Sequence, residues 1–504
     1  MKSILAVHLS ALYVSPEMLQ EAADAKATAM THLFFAGVYA FPMIGALLAD
    51  RFAGKYNTIL WLSLVYCAGH GVLAVGESSL SGTGFGLALI AVGSGGIKPC
   101  VSAHVGDQFG RGNWFRVKTV FQAFYFIVNF GSFFATLFIP LIDEYFGRTV
   151  AFGLPGGLML LATVAFWAGR NEFIHVQANP GGKVGVLDTL CAVSFFLSFG
   201  HLFVTAAILH LHPLVMVGCS VAFVAIGLAL FALRQRVSAD DGFLAVTLHT
   251  IRQNLSRRKS DDTKTGGDDD SHPLFASSFW RPALRRYGGE ATEGPVAVLK
   301  LISVFILVSV FWALFEQHSS TWIFQARSMN LQFLGMTLLP TQIGALNPLM
   351  VMILIPTMNV VYSFSKRLGY ELTPLRRMTG GMVITGFSFV SIAIIQEWID
   401  GQGEGVVSVG WQVVPYVFLT IGEVMVSITG LEFAYTQAPK RMKSTLMGFW
   451  YLSISLGQVL VALLAGVEAL EAAASFWTYS GLMFGAAVLF GIRARFYKAK
   501  DYTQ

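Results

Sequence analysis

An all-α polytopic membrane protein is the fold class this sequence predicts, on three observations. Hydrophobic residues make up 55% of the 504 and charged residues 12%, against roughly a quarter charged in soluble domains, and the mean hydropathy is +0.62. The apolar residues gather in runs that match the roughly 20 residues a helix needs to cross a bilayer. The basic residues fall on alternate connections, as in a chain threaded back and forth through a membrane. A net charge of +5 spread over those connections, with no basic patch interleaved with aromatics, argues against nucleic-acid binding. The four cysteines, Cys67, Cys100, Cys191 and Cys219, lie in apolar segments without metal-like spacing and read as packing residues.

In chain order, apolar runs cover residues 1–14, 27–48, 58–75, 84–105, 117–141 and 150–168, a first bundle of six helices within residues 1–170. Two further runs, 186–209 and 214–233, form a transmembrane hairpin within residues 171–235. Residues 236–295 lack a sustained apolar run, contain DDTKTGGDDD, and predict a cytoplasmic linker with one short amphipathic helix near 243–255. Runs at 296–312, 341–362, 378–395, 413–431, 446–466 and 476–492 complete a second six-helix bundle within residues 296–504, which ends in a short tail. That makes about fourteen helices. With the first residue inside, 29 of the 34 Lys and Arg residues fall on the inner side. Lys26, Arg148 and Arg327 remain in outer loops, and Lys2 and Lys98 lie within helices. Both termini are therefore expected in the cytoplasm.

Two stretches carry chemistry. GLALIAVGSGGIKPCVSAHVGDQF, residues 86–109, places Lys98 inside an otherwise apolar helix, where a central lysine costs about 2.5–3.5 kcal/mol. Such a charge requires an acid partner or an anionic ligand, unless it snorkels to an interface. Gly93, Gly95 and Gly96 strip side chains from that helix so that another helix or a substrate can approach, and Pro99 loosens its backbone hydrogen bonding. Glu316 and Glu423 are the acids deep in the second-half helices, and either one neutralises Lys98 or carries a proton. The second stretch, GALLADRFAGK at 45–55, puts Asp50, Arg51 and Lys55 at an inner helix end, as a charge clamp or a solvated turn.

GALLADRFAGK is similar to the loop signature of the major facilitator superfamily. With GSGGIKP (93–99), FQAFYFIVNFGSFFATLFIP (121–140), FWALFEQHSSTW (311–322), LNP (346–348) and GLEFAYTQAPKRMKS (430–444), nearly the whole chain resembles the proton-coupled oligopeptide transporter family. The resemblance implies a major facilitator fold in which the inserted hairpin is the one that bacterial members carry. It also implies a bacterial inner-membrane location and uptake of di- and tripeptides by alternating access. Protons would be the coupling ion, with no other cofactor and no metal. Small peptides and the lipid bilayer would be the partners.

Residue by residue, the resemblance has Lys98 and Glu423 hold the charged ends of a peptide from opposite bundles, and Glu316 pair with Lys2 as an outer gate. Tyr39, Asn129, Trp312, Asn347 and Trp450 match positions that line the family's peptide cavity. His32, seven residues before Tyr39 and so on the same helix face, matches a histidine used in proton handling. Plainer roles stand beside these: a Trp near a helix end as an interface anchor, Asn347 as a cap before Pro348, His32 as a packed residue. The family's ExxERFxYY motif would precede Met1 and Lys2. Either the start is misassigned or the usual proton site is lacking, and in the second case accumulation against a gradient is expected to fail while exchange persists. A transporter of another small anion or metabolite, and a peptide sensor without flux, are the alternative functions. No Ser/His, HExxH or paired-Asp pattern within the helices points to an intramembrane enzyme.

Overall fold

The computed structural model describes residues 2–16, 19–110, 112–178, 181–207, 212–237, 243–257, 279–437, 443–465 and 472–497. The first half comprises α1 (Lys2–Tyr13), α2 (Gln20–Leu48), α3 (Lys55–Val75), α4 (Leu80–Asp107), α5 (Val117–Phe146) and α6 (Arg148–Ala168). The hairpin is α7 (Gly182–Ala207) and α8 (Pro213–Val237), followed by the short helix α9 (Phe243–Arg257). The second half holds α10 (Arg281–Phe315) and α11 (Thr321–Arg327), then a small hairpin of β1 (Gln332–Phe333) and β2 (Met336–Thr337). It continues with α12 (Leu346–Arg367), α13 (Pro374–Gln402), α14 (Val413–Glu423), α15 (Thr429–Thr436), α16 (Lys443–Ala465) and α17 (Ala472–Arg495). Two pairs, α10 with α11 and α14 with α15, run on through short irregular turns as single spans. Among the described residues twelve spans are long and apolar enough to cross a membrane. The other two of the expected fourteen are α1, a shorter apolar helix, and α7, which packs along α8.

Small residues decide how closely the first-half helices approach. A Cβ on Gly93 would lie 2.6 Å from the Tyr66 backbone of α3, and one on Gly45 of α2 would collide with Gly96 of α4. The glycines beside Lys98 therefore serve helix–helix contact, which gains dispersion energy where lipid leaves no hydrophobic drive between helices. The second half is packed with larger groups: Phe311, Trp322, Phe389, Tyr416 and Phe490 are fully buried in one continuous cluster. The halves meet where α2 lies along α16 and α5 against α12. The Ser455 hydroxyl donates to the Ala36 carbonyl at 2.8 Å, and the Gln342 amide donates to the Leu137 carbonyl at 2.9 Å.

The sequence placed the start of the tenth helix at the apolar run near 296, whereas helix begins at Arg281 and kinks at Gly288 (φ 78°, ψ 175°). Only glycine takes that backbone conformation readily. The extra turns carry little apolar periodicity because they are held from one side only, where Trp280 and Ala283 pack with Val246 of α9. That helix matches the amphipathic segment expected near 243–255. The acidic run at 261–270 lies outside the described residues.

Candidate functional site

Several of the residues singled out from the sequence meet where the two bundles touch. Lys98, on α4, sets its Nζ 4.4 Å from the centroid of the Tyr39 ring on α2, a cation–π contact. The Tyr39 hydroxyl donates to Glu316 Oε1 at 3.0 Å, 277 positions away in sequence. Lys98, Tyr39 and Glu316 thus form a chain from a first-half cation through a phenol to a second-half carboxylate. Lys98 is exposed, while Glu316 is only 3% exposed. The sequence reading of Lys98 as a buried charge is corrected accordingly: its long stem carries the ammonium out of the glycine-packed helix to the junction of the bundles.

Glu423 is fixed by a different group. Asn347 Nδ2 donates to Glu423 Oε2 at 2.7 Å and lies 3.3 Å from Thr420 Oγ1. An amide donor 2.7 Å from a carboxylate makes a charge-assisted bond, stronger than one between neutral groups. Each of these second-half residues sits where a helix is irregular. Glu316 opens the 3₁₀ turn Glu316–Ser319 between α10 and α11, Asn347 follows the 3₁₀ turn Pro340–Ala345, and Glu423 immediately precedes the π turn Val424–Ile428. Irregular backbone at membrane depth is tolerated only where it is buried in protein or lines a water-filled space, and π turns concentrate at functional positions.

His32 joins the bundles one layer away. Its Nδ1 lies 2.7 Å from Gln458 Oε1 on α16, and its Nε2 lies 2.8 Å from Ser320 Oγ beside the Glu316 turn. Because an amide oxygen only accepts, Nδ1 carries a proton, so in a neutral ring the Ser320 hydroxyl donates to Nε2. His32 is fully buried.

The remaining candidates divide. Asn129 is half-buried on α5, the helix that packs on the α12 bearing Asn347. Trp312 and Trp450 are 6% and 3% exposed and meet edge-on at 6.0 Å inside the second-half core. In this conformation neither ring forms an open wall. The reason is local: the Trp450 ring covers Gly430, where a Cβ would collide with it. The Lys2 side chain lies outside the described residues, so the expected Glu316–Lys2 gate does too.

The clamp motif is a helix continuation rather than a loop. Residues Ala49–Ala53 form a π turn that ends at Gly54 (φ 78°). Lys55 bonds both oxygens of Asp107 at 3.0 and 2.8 Å, which ties the start of α3 to the end of α4. Arg51 reaches Asp188 of α7 at 3.6 Å, and Arg234 of α8 holds the other oxygen of that carboxylate at 2.8 Å. The Gly181 amide donates to the Arg51 carbonyl at 3.1 Å, and a Cβ on Gly185 would collide with that oxygen. The hairpin is therefore docked on the clamp. Asp50 lies half-buried on the π turn.

Sequence reasoning missed one bridge between the halves. Arg327 Nη1, at the end of α11, lies 3.2 and 3.4 Å from the two oxygens of Asp24 on α2. Asp24 is also bonded by Ser10 and, at 3.0 Å, by the Gln20 amide. The available signal was that Arg327 is one of only three basic residues left on the outer side.

Two six-helix bundles with an inserted hairpin, meeting over charges, define a polytopic membrane protein of the major facilitator fold. A profile of the POT family matches residues 56–209 and 290–477. The chain belongs to the POT family. It resembles Peptide transporter family 1 of Drosophila melanogaster, 31% identical over 378 residues, covering 72% of this chain and 41% of that protein. With Peptide transporter family 2 of Caenorhabditis elegans it shares 29% over 392 residues, 74% of this chain and 42% of that one. The chain thus spans about two fifths of the length of these relatives. Among solved structures, an auto-inhibited POT family peptide transporter superposes with a TM-score of 0.77 at 36% identity, covering 100% of this chain and 95% of that one. The POT family transporter PepTSo gives 0.75 at 36%, covering 98% and 94%.

Proposed function

We propose that this protein takes up di- and tripeptides across a bacterial inner membrane by proton-coupled alternating access, and that it is not an enzyme. The names borne by its relatives support the substrate class. The observation that carries the mechanism is the Lys98–Tyr39–Glu316 chain, which links a cation on one bundle to an acid on the other. A bond that spans two moving bodies is made in one open state and broken in the other, so its protonation state biases the equilibrium between them. Lys98 takes the peptide carboxylate, and Glu423, held by Asn347, takes the amino terminus. Protonation of Glu316 releases Tyr39 from a charged acceptor and weakens the closed side.

The side-chain bonds joining the bundles among the described residues support an inward-facing state. They involve α2 only as far as Tyr39, from Asp24 through His32 and Ala36, the half of that helix away from the basic face. Both termini are placed in the cytoplasm on the distribution of basic residues.

The test is transport by full-length protein in proteoliposomes. Exchange of labelled dipeptide, together with accumulation driven by an inward proton gradient and abolished by an ionophore, is the expected result. Saturable binding without flux would make the protein a sensor, and exchange of a small anion in place of peptide would overturn the substrate class.

A further inference from the structure

Away from the central charges, the inner ends of α8 and α9 and the first turns of α10 border an open cavity of about 780 Å³. One side of it is apolar: Phe231 of α8 with Leu248, Ile251 and Leu255, spaced i, i+3, i+7 along α9. The other side carries Arg252 of α9 and Arg286 of α10. The second face of α9 is already used, with Val246 and Thr250 fully buried against the protein. Ile251 and Leu255 nevertheless remain 40% and 67% exposed. A helix that buries one apolar face and leaves another open beside arginines has two surfaces to cover, and the protein covers one.

The position explains what covers the other. Arg234 and Arg236 close α8, and Arg281, Arg285 and Arg286 open α10 before its apolar run begins. These residues place the cavity at the boundary between hydrocarbon and water on the basic face. Burial, then the charges of Arg286 and Arg252, hold the pKa of His249 in the same wall below its ordinary value.

We propose that this cavity binds an anionic phospholipid of the adjoining leaflet. Its phosphate sits between Arg252 and Arg286, and one acyl chain lies along Phe231 and the Leu248, Ile251, Leu255 stripe. Basic pockets between helices on the positively charged side suit anionic head groups, and the stripe extends about 10 Å along α9, enough for the first carbons of a chain. A free phosphate has no use for that stripe. The site lies apart from the central charges, so it stands whether or not the transport reading does.

Native mass spectrometry of the full-length protein, titrated with phosphatidylglycerol or phosphatidylcholine of identical chains, tests the site. Phosphatidylglycerol should bind the parent more tightly. The double variant Arg252→Gln/Arg286→Gln should lose about thirtyfold of that affinity, the worth of two basic residues near an anionic head group. Ile251→Ser/Leu255→Ser, at exposed positions, should weaken both lipids while keeping the preference between them. Equal binding of the two lipids by the parent, or an unchanged preference in the arginine variant, would overturn the proposal. So would displacement of the lipid by inorganic phosphate at equal concentration, which would assign the arginines to a free anion. Lipid binding only after Asp268, Asp269 and Asp270 are replaced by Asn would assign the basic wall to the chain's own acidic run and overturn it as well.

Discussion

The two halves of the molecule present charge to one another in opposite ways. In the first half, Lys98 stands on α4, an unbroken helix packed through glycines, and is exposed. In the second, Glu316 and Glu423 stand at a 3₁₀ turn and a π turn of helices packed through aromatics, and Glu316 is almost wholly buried. A lysine has four methylenes and reaches water from a regular helix, so the fold need only make room for its stem. A carboxylate has a short stem, so the fold must bring donors to it. It does so by breaking the helix and offering Tyr39 in one case and Asn347 in the other. The cation is thus exposed beside the Tyr39 ring, whereas the acids are held by fixed donors. That division predicts where binding and coupling separate.

The largest effect should follow from removing the cation. Lys98→Ala should weaken dipeptide binding by about 2 kcal/mol, roughly thirtyfold. That is the low end of the cost of deleting one partner of a charge pair, because the Lys98 side chain is exposed. Calorimetric titration on folded protein measures it, and an unchanged affinity would remove Lys98 from the site. Next comes Glu423→Gln, which keeps an acceptor for Asn347 but loses the charge. Affinity for a free dipeptide should fall about tenfold, the worth of one charge-assisted bond, with little change for the N-acetylated peptide. Equal losses for both peptides would deny Glu423 its role at the amino terminus.

Smaller effects sharpen the coupling side of the comparison. Tyr39→Phe keeps the ring under Lys98 and deletes the bond to Glu316, so peptide exchange should persist while proton-driven accumulation falls several-fold, about 1 kcal/mol. Glu316→Gln retains an acceptor for Tyr39 but cannot titrate, and accumulation should lose its dependence on the proton gradient. Flux measured with and without an ionophore distinguishes the two. Parallel loss of exchange and accumulation in both variants would mean that the chain of contacts is structural.

Much of this architecture was legible in the sequence because lipid imposes simple rules. Apolar runs, the alternation of basic residues and the anomaly of Lys98 needed no knowledge of contacts. Pairings across the halves were illegible, since Tyr39 meets Glu316 and Asp24 meets Arg327 across about 300 positions of chain and no periodicity reports such distances. The start of α10 at Arg281 was illegible for a related reason: its first turns are held by α9 and so carry no apolar run of their own. The burial of Trp312 and Trp450 depends on Gly430 admitting a ring, a fact of packing that composition does not encode.

The smallest effect expected is at the outer bridge, where a cation of the second half meets an acid of the first and the polarity of the central site is reversed. The side chains of Arg327 and Asp24 are 28% and 21% exposed, and pairs that are partly open to water contribute about 0.2–1 kcal/mol. Asp24→Asn should therefore shift the balance toward an outward-open state only a few-fold, and less at high salt, which screens exposed charges. The other donors to Asp24, Ser10 and Gln20, belong to its own half. Losing the charge thus weakens the link between the bundles more than it weakens either bundle. Labelling of a cysteine placed on the outer face, read with a membrane-impermeant reagent, should rise in Asp24→Asn. It should return toward the parent value in the charge-exchanged pair Asp24→Arg/Arg327→Asp. Labelling that rises equally in the single and exchanged variants would show that the two residues act on their own helices and not as a bridge.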